Sequence, residues 1–358
     1  MFNETLVGLE IGKYSTKIVS GNYSIGKFII KDHTVIDTPD KSFLPNDALN
    51  YEVIAPFLKE VFKANKINKK KFHVVINTNK AVLRERVLPK ANLAELHDMS
   101  KFEIEQFLPY SVDDFVVDYR VLSIGNEDND DSLNTLVAAV PRDIINSYIT
   151  TSKKCGCAIK SINIYSDCLS RFMENYIPYP DENVLVVDIG AQLTLLTIFK
   201  NNKYFASFNS DLGGEEATKR LARENHLELK EAEHKKITMG LAMTKELFNN
   251  NSLNGFNFDK AILMTDYCDS LGAEISRVIN YFRTRKISGI IHRVVLIGGG
   301  SQIKEMDKYL QGILGVDVEY FAKPEKMTFP EKNTENDSSS LNKIIPAIGA
   351  ILRRTGNE

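Results

Sequence analysis

The chain has 358 residues, of which 43% are hydrophobic and 26% are charged, and its formal net charge is −2. These values are typical of a globular protein of two domains, and they exclude a collagenous, wholly disordered or disulfide-stapled chain. Because its 45 basic residues are balanced by 47 acidic ones, the protein has no overall positive potential that would attract nucleic acid. No stretch has the roughly 20 apolar residues that span a bilayer, and the first residues lack the pattern of a signal peptide. We therefore expect a cytoplasmic protein that binds no nucleic acid and does not insert into a membrane.

The first part of the chain predicts a mixture of strands and helices. Residues with strand character, bounded by turn residues, are Thr5–Ile11, Thr16–Gly21, Lys27–Ile30, Phe72–Asn77, Val82–Leu88, Phe115–Ile124 and Leu133–Val140. Segments with helical periodicity are Glu52–Lys66, Leu93–Phe107 and Arg142–Cys155. The acidic segment Gly125–Ser132 is interpreted as a solvated hairpin connection.

The strand pattern restarts in the second half and repeats the opening of the chain. The new strands are Val184–Ile189, Leu193–Phe199 and Lys203–Asn209, so both halves begin with a strand, a tight glycine turn and two further strands. Helical patterns then extend from Gly214 to Arg283 with a break near Asn249–Phe258, followed by a strand at Val294–Ile297. The polar segment Pro324–Leu341 predicts a mobile loop, and Ile345–Arg354 predicts a final helix. The repeat indicates two similar lobes.

The cysteines are Cys155, Cys157, Cys168 and Cys268, and the chain has six histidines and no Cys-x-x-Cys pair. This spacing favours ordinary reduced thiols over a zinc site or a disulfide framework.

Three glycine turns that follow strands carry the functional prediction. They are Leu9-Glu10-Ile11-Gly12-Lys13-Tyr14-Ser15-Thr16-Lys17, Val187-Asp188-Ile189-Gly190-Ala191-Gln192-Leu193-Thr194 and Leu296-Ile297-Gly298-Gly299-Gly300-Ser301. In the first two, an acidic residue stands near the end of a strand and a glycine follows two positions later. Glycine lets backbone amides approach phosphate oxygens without a Cβ in the way. The acid is then placed to hold a hydrated magnesium ion.

The side chains around these turns fit the same chemistry. Ser15, Thr16 and Thr194 offer hydroxyl groups to phosphate, and Lys17 offers a neutralising charge. The triple glycine lets an adenine ring or a ribose lie against bare backbone. Any one of these turns alone is more simply a plain hairpin, but two matching turns 178 residues apart, 188 − 10, favour a duplicated phosphate site.

The order of the three turns resembles that of the superfamily of actin, Hsp70 and the sugar kinases. Within it, Gly213-Gly214-Glu215-Glu216-Ala217-Thr218 resembles a helix start after the second three-strand unit, and Ala232-Glu233-His234-Lys235-Lys236 resembles the Ala-Glu-x-x-Lys helix. The resemblance implies that Glu233 and Lys236 contact the nucleoside. From the residues alone, this pair is equally a Glu-to-Lys pair on a surface helix.

The segment from Phe72 to Asn163 resembles the PilM family of type IV pilus assembly proteins more specifically. The matching motifs are Arg86-Val87-Leu88-Pro89, Glu95-Leu96, Glu103-Ile104-Glu105-Gln106-Phe107-Leu108-Pro109, Asp118-Tyr119, Val137-Ala138-Ala139-Val140, Cys155-Gly156 and Ile162-Asn163-Ile164. In that family this inserted unit replaces an actin subdomain and helps to form a groove for a short N-terminal peptide of the membrane protein PilN. The similarity extends to Ile348-Gly349-Ala350-Ile351-Leu352-Arg353.

The resemblance implies an α/β, actin-like (ribonuclease H-like) fold with two lobes, duplicated mixed sheets and an inserted small α+β subdomain. We expect residues 1–71 to form the first lobe, 72–163 the insert, 164–341 the second lobe and 342–358 a returning helix. ATP and Mg²⁺ are the implied cofactors, with Glu10 and Asp188 holding the metal through water. The implied nucleotide-binding residues are Glu10, Gly12, Lys13, Tyr14, Ser15, Lys17, Asp188, Gly190, Gln192, Thr194, Gly213, Gly214, Glu233, Lys236, Gly298, Gly299, Gly300 and Ser301.

The implied function is an ATP-binding scaffold recruited to the inner face of the cytoplasmic membrane by a PilN-like peptide, with nucleotide and peptide binding coupled. Other inner-membrane pilus components and the assembly motor are further implied partners. The sequence identifies no catalytic base, since Gln192 and Asp167 are as well explained by structural roles. At most a weak ATPase is expected.

The sequence departs from the family at the first turn, where Glu10 replaces the usual Asp and Lys13-Tyr14 replaces Ser-Ser. The longer carboxylate and the bulky Tyr14 predict binding without fast hydrolysis, because Mg²⁺ demands near-octahedral geometry. Two other members of the superfamily remain alternatives. A small-molecule kinase would need a sugar pocket for which no signature is visible, and a division protein like FtsA would need an apolar and basic C-terminal tail.

Overall fold

The computed structural model describes residues 5–24, 27–67, 71–126, 129–239, 241, 258–285, 289–329 and 337–352. The chain divides into two compact units. Unit I comprises Leu6–Thr16 and Ile36–Tyr165, and unit II comprises Met1–Thr5, Lys17–Val35 and Ser166–Glu358.

Strands and helices are interspersed along the described residues. In chain order the strands are β1 Leu6–Ile11, β2 Ser15–Ser24, β3 Lys27–Asp37, β4 Lys71–Ile76, β5 Val82–Pro89, β6 Phe115–Asn126, β7 Asn129–Pro141, β8 Ala158–Ile164, β9 Asn183–Ile189, β10 Thr194–Lys200, β11 Lys203–Ser210, β12 Arg293–Ile297, β13 Asp317–Tyr320 and β14 Met327–Thr328. The α-helices are α1 Tyr51–Ala64, α2 Leu93–Glu105, α3 Arg142–Cys155, α4 Tyr165–Tyr176, α5 Gly214–Glu224, α6 Leu229–Met239, α7 Phe258–Thr284, α8 Met306–Leu314 and α9 Asp337–Ile351.

Unit I contains parallel pairings of β1 with β4 and of β4 with β8, and Glu10 lies opposite Val75 in the first pairing. Helices α1 and α3 pack against each other, and α3 also contacts β8. A separate antiparallel sheet has the order β5-β7-β6 and is covered by α2. Its core consists of apolar residues such as Ile104, Phe115 and Val137. This sheet and its helix form a small α+β insert in unit I.

Local sequence signals explain where the helices of unit I begin and end. Asn92 starts α2 with a capping box: its side chain accepts from the backbone N–H groups of Ala94 and Glu95, and Glu95 returns a carboxylate to the Asn92 N–H. Helix α3 ends at Gly156, which adopts the left-handed conformation with φ 76°. Glycine has no Cβ penalty there, so the chain can reverse directly into β8.

Unit II contains a five-stranded sheet with the order β11-β10-β9-β12-β13. Every residue of β9 is buried, as expected for a central strand rich in β-branched residues. In this sheet Asp188 lies opposite Leu195 of β10 and opposite Ile297 of β12. Large buried side chains of α7, including Tyr267 and Phe282, complete the core. The register therefore brings the ends of β9 and β12, where two of the glycine turns begin, to neighbouring positions.

Most predicted elements are confirmed to within a few residues, and two expectations are wrong in part. Of the segment Gly125–Ser132, expected as a solvated hairpin connection, the described residues belong to β6 and β7, and Ser132 is buried. The segment expected as a loop to Leu341 contains the short strand β14, and α9 already begins at Asp337. Polar residues such as Asp and Ser are favoured at the start of a helix, so a polar run does not by itself indicate a loop. Residues 330–336, most of the break near Asn249–Phe258, and the end of the final helix beyond 352 lie outside the described residues. Strands β8 and β13 and helices α4 and α8 had no counterpart in the prediction.

Candidate functional site

The Asp188 turn lies in unit II at the end of the buried strand β9. The N–H of Gly190 donates to the carbonyl of Leu193 at 2.9 Å, which closes a tight turn into β10. Asp188 is only 2% exposed. The turn therefore places a carboxylate inside the protein where the chain reverses, as the sequence predicted.

The glycines at 298 and 300 pack directly against this strand end. Gly298 has φ 86°, and a Cβ there would overlap a carboxylate oxygen of Asp188. A Cβ on Gly300 would overlap the side chain of Ile189. Both positions consequently require glycine, for conformation at the first and for space at both. The hydroxyl of Ser301 donates to the carbonyl of Gly298 at 2.8 Å and fixes the turn.

The third predicted element, the start of α5, joins the same cluster. The N–H of Gly214 donates to the carbonyl of Gly190 at 2.9 Å, and the N–H of Glu215 donates to the carbonyl of Ala191 at 2.8 Å. A Cβ on Gly214 would stand 3.2 Å from the Cα of Gly300. The Asp188 turn, the start of α5 and the Gly298–Gly300 turn are therefore in contact in unit II through the backbone of their glycine residues.

Lys236 of α6 lies beneath this backbone cluster. Its ammonium group donates to the carbonyl of Gly214 at 3.0 Å, to the hydroxyl of Thr218 at 2.8 Å and to the carboxylate of Glu233 at 2.6 Å. The side chain of Lys236 is only 2% exposed, whereas that of Glu233 keeps 21% exposure. Burial lowers the pKa of Lys236, and the neighbouring Glu233 opposes that shift. The pair is therefore internal to the protein and is not the surface pair that the sequence left open.

Lys343 is a residue near this cluster that sequence reasoning missed. It belongs to α9 and is partly buried, and burial lowers its pKa. Glu233 raises the pKa of Lys343 and Lys17 lowers it, so an acidic group and a second cation both act on this ammonium group. Since α9 follows the predicted loop, no motif in the sequence marked Lys343.

Other predicted residues of unit II use their polar groups elsewhere or remain on the surface. The hydroxyl of the fully buried Thr194 donates to the carbonyl of Leu212. Gln192 is exposed on its turn. Asp167, considered as a base, forms an ion pair with Arg171 one helical turn later at 2.7 Å. These contacts provide no activated base.

The Glu10 turn lies in unit I and is closed by the N–H of Gly12, which donates to the carbonyl of Ser15 at 3.1 Å. Glu10 is 1% exposed, and Tyr14 is 51% exposed. Lys13 forms an ion pair with Asp47 at 2.8 Å. The charge that Lys13 adds to this turn is consequently engaged by a carboxylate of unit I.

Two residues near the Glu10 turn also escaped the sequence analysis. Asp47 adopts a left-handed conformation with φ 66° and accepts a hydrogen bond from the hydroxyl of Thr78 at 2.9 Å. Tyr148 of α3 is 3% exposed. Burial raises the pKa of Tyr148 well above its usual value, and the charges of Glu10 and Asp47 act in the same direction. Tyr148 therefore remains a neutral hydroxyl beside the Glu10 carboxylate at neutral pH.

The residues present fit a nucleotide with its magnesium ion. The bare-backbone cluster of unit II offers close approach to a flat ring or a phosphate, and the buried Asp188 at its edge supplies the hard oxygen that Mg²⁺ prefers. Over the described ranges, no three or more His, Cys, Asp or Glu side chains are grouped closely enough to hold a metal.

The fold defined by these units belongs to the actin-like α/β class. EutJ from Carboxydothermus hydrogenoformans shares it with a TM-score of 0.54 at 12% identity over 97% of this chain and 90% of that one. MreB5 of Spiroplasma citri, solved with ADP, shares it with a TM-score of 0.51 at 11% identity over 97% and 95%.

Within this class the chain belongs to the type IV pilus assembly protein PilM family, whose model matches residues 8–355. The chain is also similar to a structure described as the PilM–PilN type IV pilus biogenesis complex. That similarity has a TM-score of 0.81 at 22% identity and covers 98% of this chain and 99% of that chain. The predicted fold class and family are thereby confirmed. No described helix combines the length and hydropathy needed to span a bilayer.

Proposed function

We propose that this protein is an ATP-binding scaffold of the type IV pilus inner-membrane assembly complex, on the cytoplasmic side, recruited by the N-terminal cytoplasmic peptide of a PilN-like membrane protein. Membership of the PilM family supports the role in pilus assembly. The observation that carries the nucleotide proposal is the meeting of the Asp188 turn, the Gly214 helix start and the Gly298–Gly300 turn in unit II.

This cluster supports nucleotide binding because Gly298 and Gly300 let the turn pack tightly on the end of β9, and Gly299 between them is exposed backbone with open space beside it. The amide-rich start of α5 carries the positive end of a helix dipole, which attracts phosphate. Lys17 and Lys343 add two cations, and the charge of Lys17 contributes to the lowered pKa of Lys343. A bound polyphosphate would relieve that repulsion. We assign the adenosine to Gly298–Gly300, with Glu233 near the ribose.

Magnesium would neutralise the phosphate charge, and its carboxylate partners would act through water. Asp188 is the residue of unit II that we propose for this role. Lys236 would hold the Gly214 carbonyl in place rather than bind phosphate, since its ammonium already donates to three acceptors. We expect little hydrolysis, because Asp167 is engaged by Arg171 and Gln192 is exposed.

The partner proposal rests on the insert of unit I and on the similar structure, which contains PilN. The insert leaves large apolar side chains in solvent: Leu93 is 77% exposed, Phe102 76% and Tyr110 72%. We propose these three side chains as candidate contacts for the partner peptide. Other inner-membrane components and the assembly motor remain further proposed partners of the complex.

The nucleotide proposal is tested by calorimetry with Mg-ATP on the full chain. Asp188→Asn keeps the volume beside Gly298 but removes the charge, and we expect affinity to fall at least about tenfold because a metal-linked charge is lost. Asp181→Ala is the matched control, since it changes an exposed acid just before the opposite end of β9 and is expected to leave affinity unchanged. Equal affinity in wild type and Asp188→Asn would place the nucleotide elsewhere.

The partner proposal is tested with a synthetic peptide of the PilN homologue's N-terminal cytoplasmic segment, titrated with and without Mg-ATP. Coupling is reciprocal, so an increase in peptide affinity with ATP must be matched by an equal increase in ATP affinity with peptide. Equal peptide affinity with and without Mg-ATP would refute the coupling between nucleotide and peptide but would leave the peptide as a partner. No peptide binding in either condition would remove the partner.

A further inference from the structure

A pair of cysteines at the end of α3 has no role in the proposed function. The sulfur atoms of Cys155 and Cys157 lie 3.0 Å apart, and both cysteines are free thiols. A disulfide bond is about 2.05 Å long, so the two sulfurs need to move only about 1 Å closer to form one. The sequence predicted ordinary reduced thiols here because the chain has no Cys-x-x-Cys pair and only six histidines.

The end of the helix produces this contact. Gly156 takes the left-handed conformation with φ 76°, and the N–H of Cys157 then donates to the carbonyl of Ser152 at 3.0 Å. The thiol of Cys155 donates to the same carbonyl at 3.4 Å. This turn folds Cys157 back over the last helical residue. The two sulfurs are thus brought together by backbone hydrogen bonds that belong to the helix end.

Exposure and charge distinguish this pair from the other cysteines. Cys155 is 8% exposed and Cys157 is half-buried, whereas Cys168 and Cys268 are 0% exposed. The hydrogen bond from the Cys157 thiol lowers the pKa of Cys155, and Lys59 of α1 adds to this shift. Burial instead raises the pKa of Cys268 to about 12, which keeps that thiol unreactive. The pair at the end of α3 therefore combines partial access with one stabilised thiolate.

We propose that Cys155 and Cys157 form a reversible redox site that closes to an intramolecular disulfide with hydrogen peroxide. One sulfur attacks the O–O bond and becomes a sulfenic acid while hydroxide leaves. The second sulfur then attacks the first, the S–S bond forms, the S–O bond breaks and water is released. Overall the two thiols lose two hydrogens with their electrons, and one peroxide is reduced to two waters. Closure ties the end of α3 to the residue that directly precedes β8.

The sequence provides a direct assay, because trypsin cleaves after Lys154 and Lys160. The peptide 155–160 then contains Cys155 and Cys157 and no other cysteine. The full-length protein is treated with peroxide at neutral pH, blocked with N-ethylmaleimide and digested. We expect this peptide to be lighter by two hydrogens and to carry no maleimide. Dithiothreitol added before the block should restore two maleimides on it.

Two variants separate the pair from the general oxidation of thiols. Cys157→Ser removes a partly exposed sulfur without disturbing the core, and it should abolish the lighter peptide. Cys168→Ala removes a thiol outside the pair and should leave the lighter peptide unchanged. A peptide that carries two maleimides after peroxide treatment would overturn the proposal. Separate sulfinic acids on the two cysteines, or a disulfide between two chains, would overturn it equally.

Discussion

Replacing Lys236 by Met tests whether the backbone cluster of unit II depends on a buried cation. The side chain of Lys236 is 2% exposed and donates to three acceptors, which belong to Gly214, Thr218 and Glu233. Met keeps most of the apolar volume but donates no hydrogen bond. The Gly214 carbonyl and the Thr218 hydroxyl, both in α5, then each lose one donor, although the Thr218 hydroxyl still donates to the Gly214 carbonyl. The Glu233 carboxylate loses its counter-ion.

The expected loss of stability follows from the burial of each partner. Removing one member of a fully buried ion pair costs about 3–5 kcal/mol. The side chain of Glu233 is 21% exposed and can regain water, so the cost must be smaller. The variant also removes an ammonium group whose burial is unfavourable, as its lowered pKa indicates. We therefore expect Lys236→Met to lower the free energy of unfolding by about 2 kcal/mol.

Urea unfolding followed by circular dichroism measures this change, and the neighbouring residue provides the control. Lys235 forms an ion pair with Glu231 at 2.7 Å, but the two side chains are 33% and 51% exposed. Lys235→Met should therefore cost no more than about 0.5 kcal/mol. Adding Glu233→Gln to Lys236→Met should recover part of the loss, because the uncompensated charge disappears. Equal effects of Lys236→Met and Lys235→Met would refute the reasoning.

Two further predictions concern packing and pH. Gly349→Ala should lower the free energy of unfolding, measured in urea, by roughly 1–3 kcal/mol, because its Cβ would overlap the carbonyl oxygen of Cys168 in α4. The control Gly312→Ala in α8 has open space for a Cβ and should be neutral or slightly stabilising. Equal losses in the two variants would argue against the α4–α9 contact. Burial and a hydrogen bond to Glu319 raise the pKa of Tyr179 from 10.0 to about 12. The stability that Tyr179 contributes is complete below pH 10 and is lost as the pH rises toward 12. The difference in free energy of unfolding between wild type and Tyr179→Phe, measured by urea titration at alkaline pH, should therefore shrink between pH 10 and 12. A constant difference would contradict this prediction.

The sequence predicted most of the fold because hydrophobic periodicity is a local property. Helix α3 was predicted with its observed bounds, since Arg142–Cys155 has a clear apolar stripe and a glycine directly after it. Strand β8 was missed because its residues, Ala158–Ile164, alternate only weakly and none is fully buried. The start of α9 was missed because a run of serines resembles a loop when the helix that it opens is not recognised.

The positions of the candidate site residues could be predicted from the glycine turns, but their contacts could not. Lys13 and Asp47 are 34 residues apart, 47 − 13, and nothing in either local sequence indicates that they form an ion pair. The same holds for Lys236 and Gly214, which meet only after α5 and α6 pack together. A motif fixes where the backbone turns because this depends on the residues within the turn. Whether a charged side chain remains available for a ligand depends on partners elsewhere in the chain.

That distinction determines how the family's motifs are to be read in this protein. A lysine carried over by motif was expected to contact the nucleoside, yet its three observed acceptors are all protein groups. If Lys236 acts by holding Gly214, its replacement must change stability and nucleotide affinity together, and Glu233→Gln must restore part of both. If it binds the nucleotide directly, affinity must fall while the double variant recovers stability alone. Stability and nucleotide affinity, both measured on Lys236→Met, Lys235→Met and the double variant Lys236→Met/Glu233→Gln, therefore distinguish a direct contact with the nucleotide from support of the backbone that forms the site.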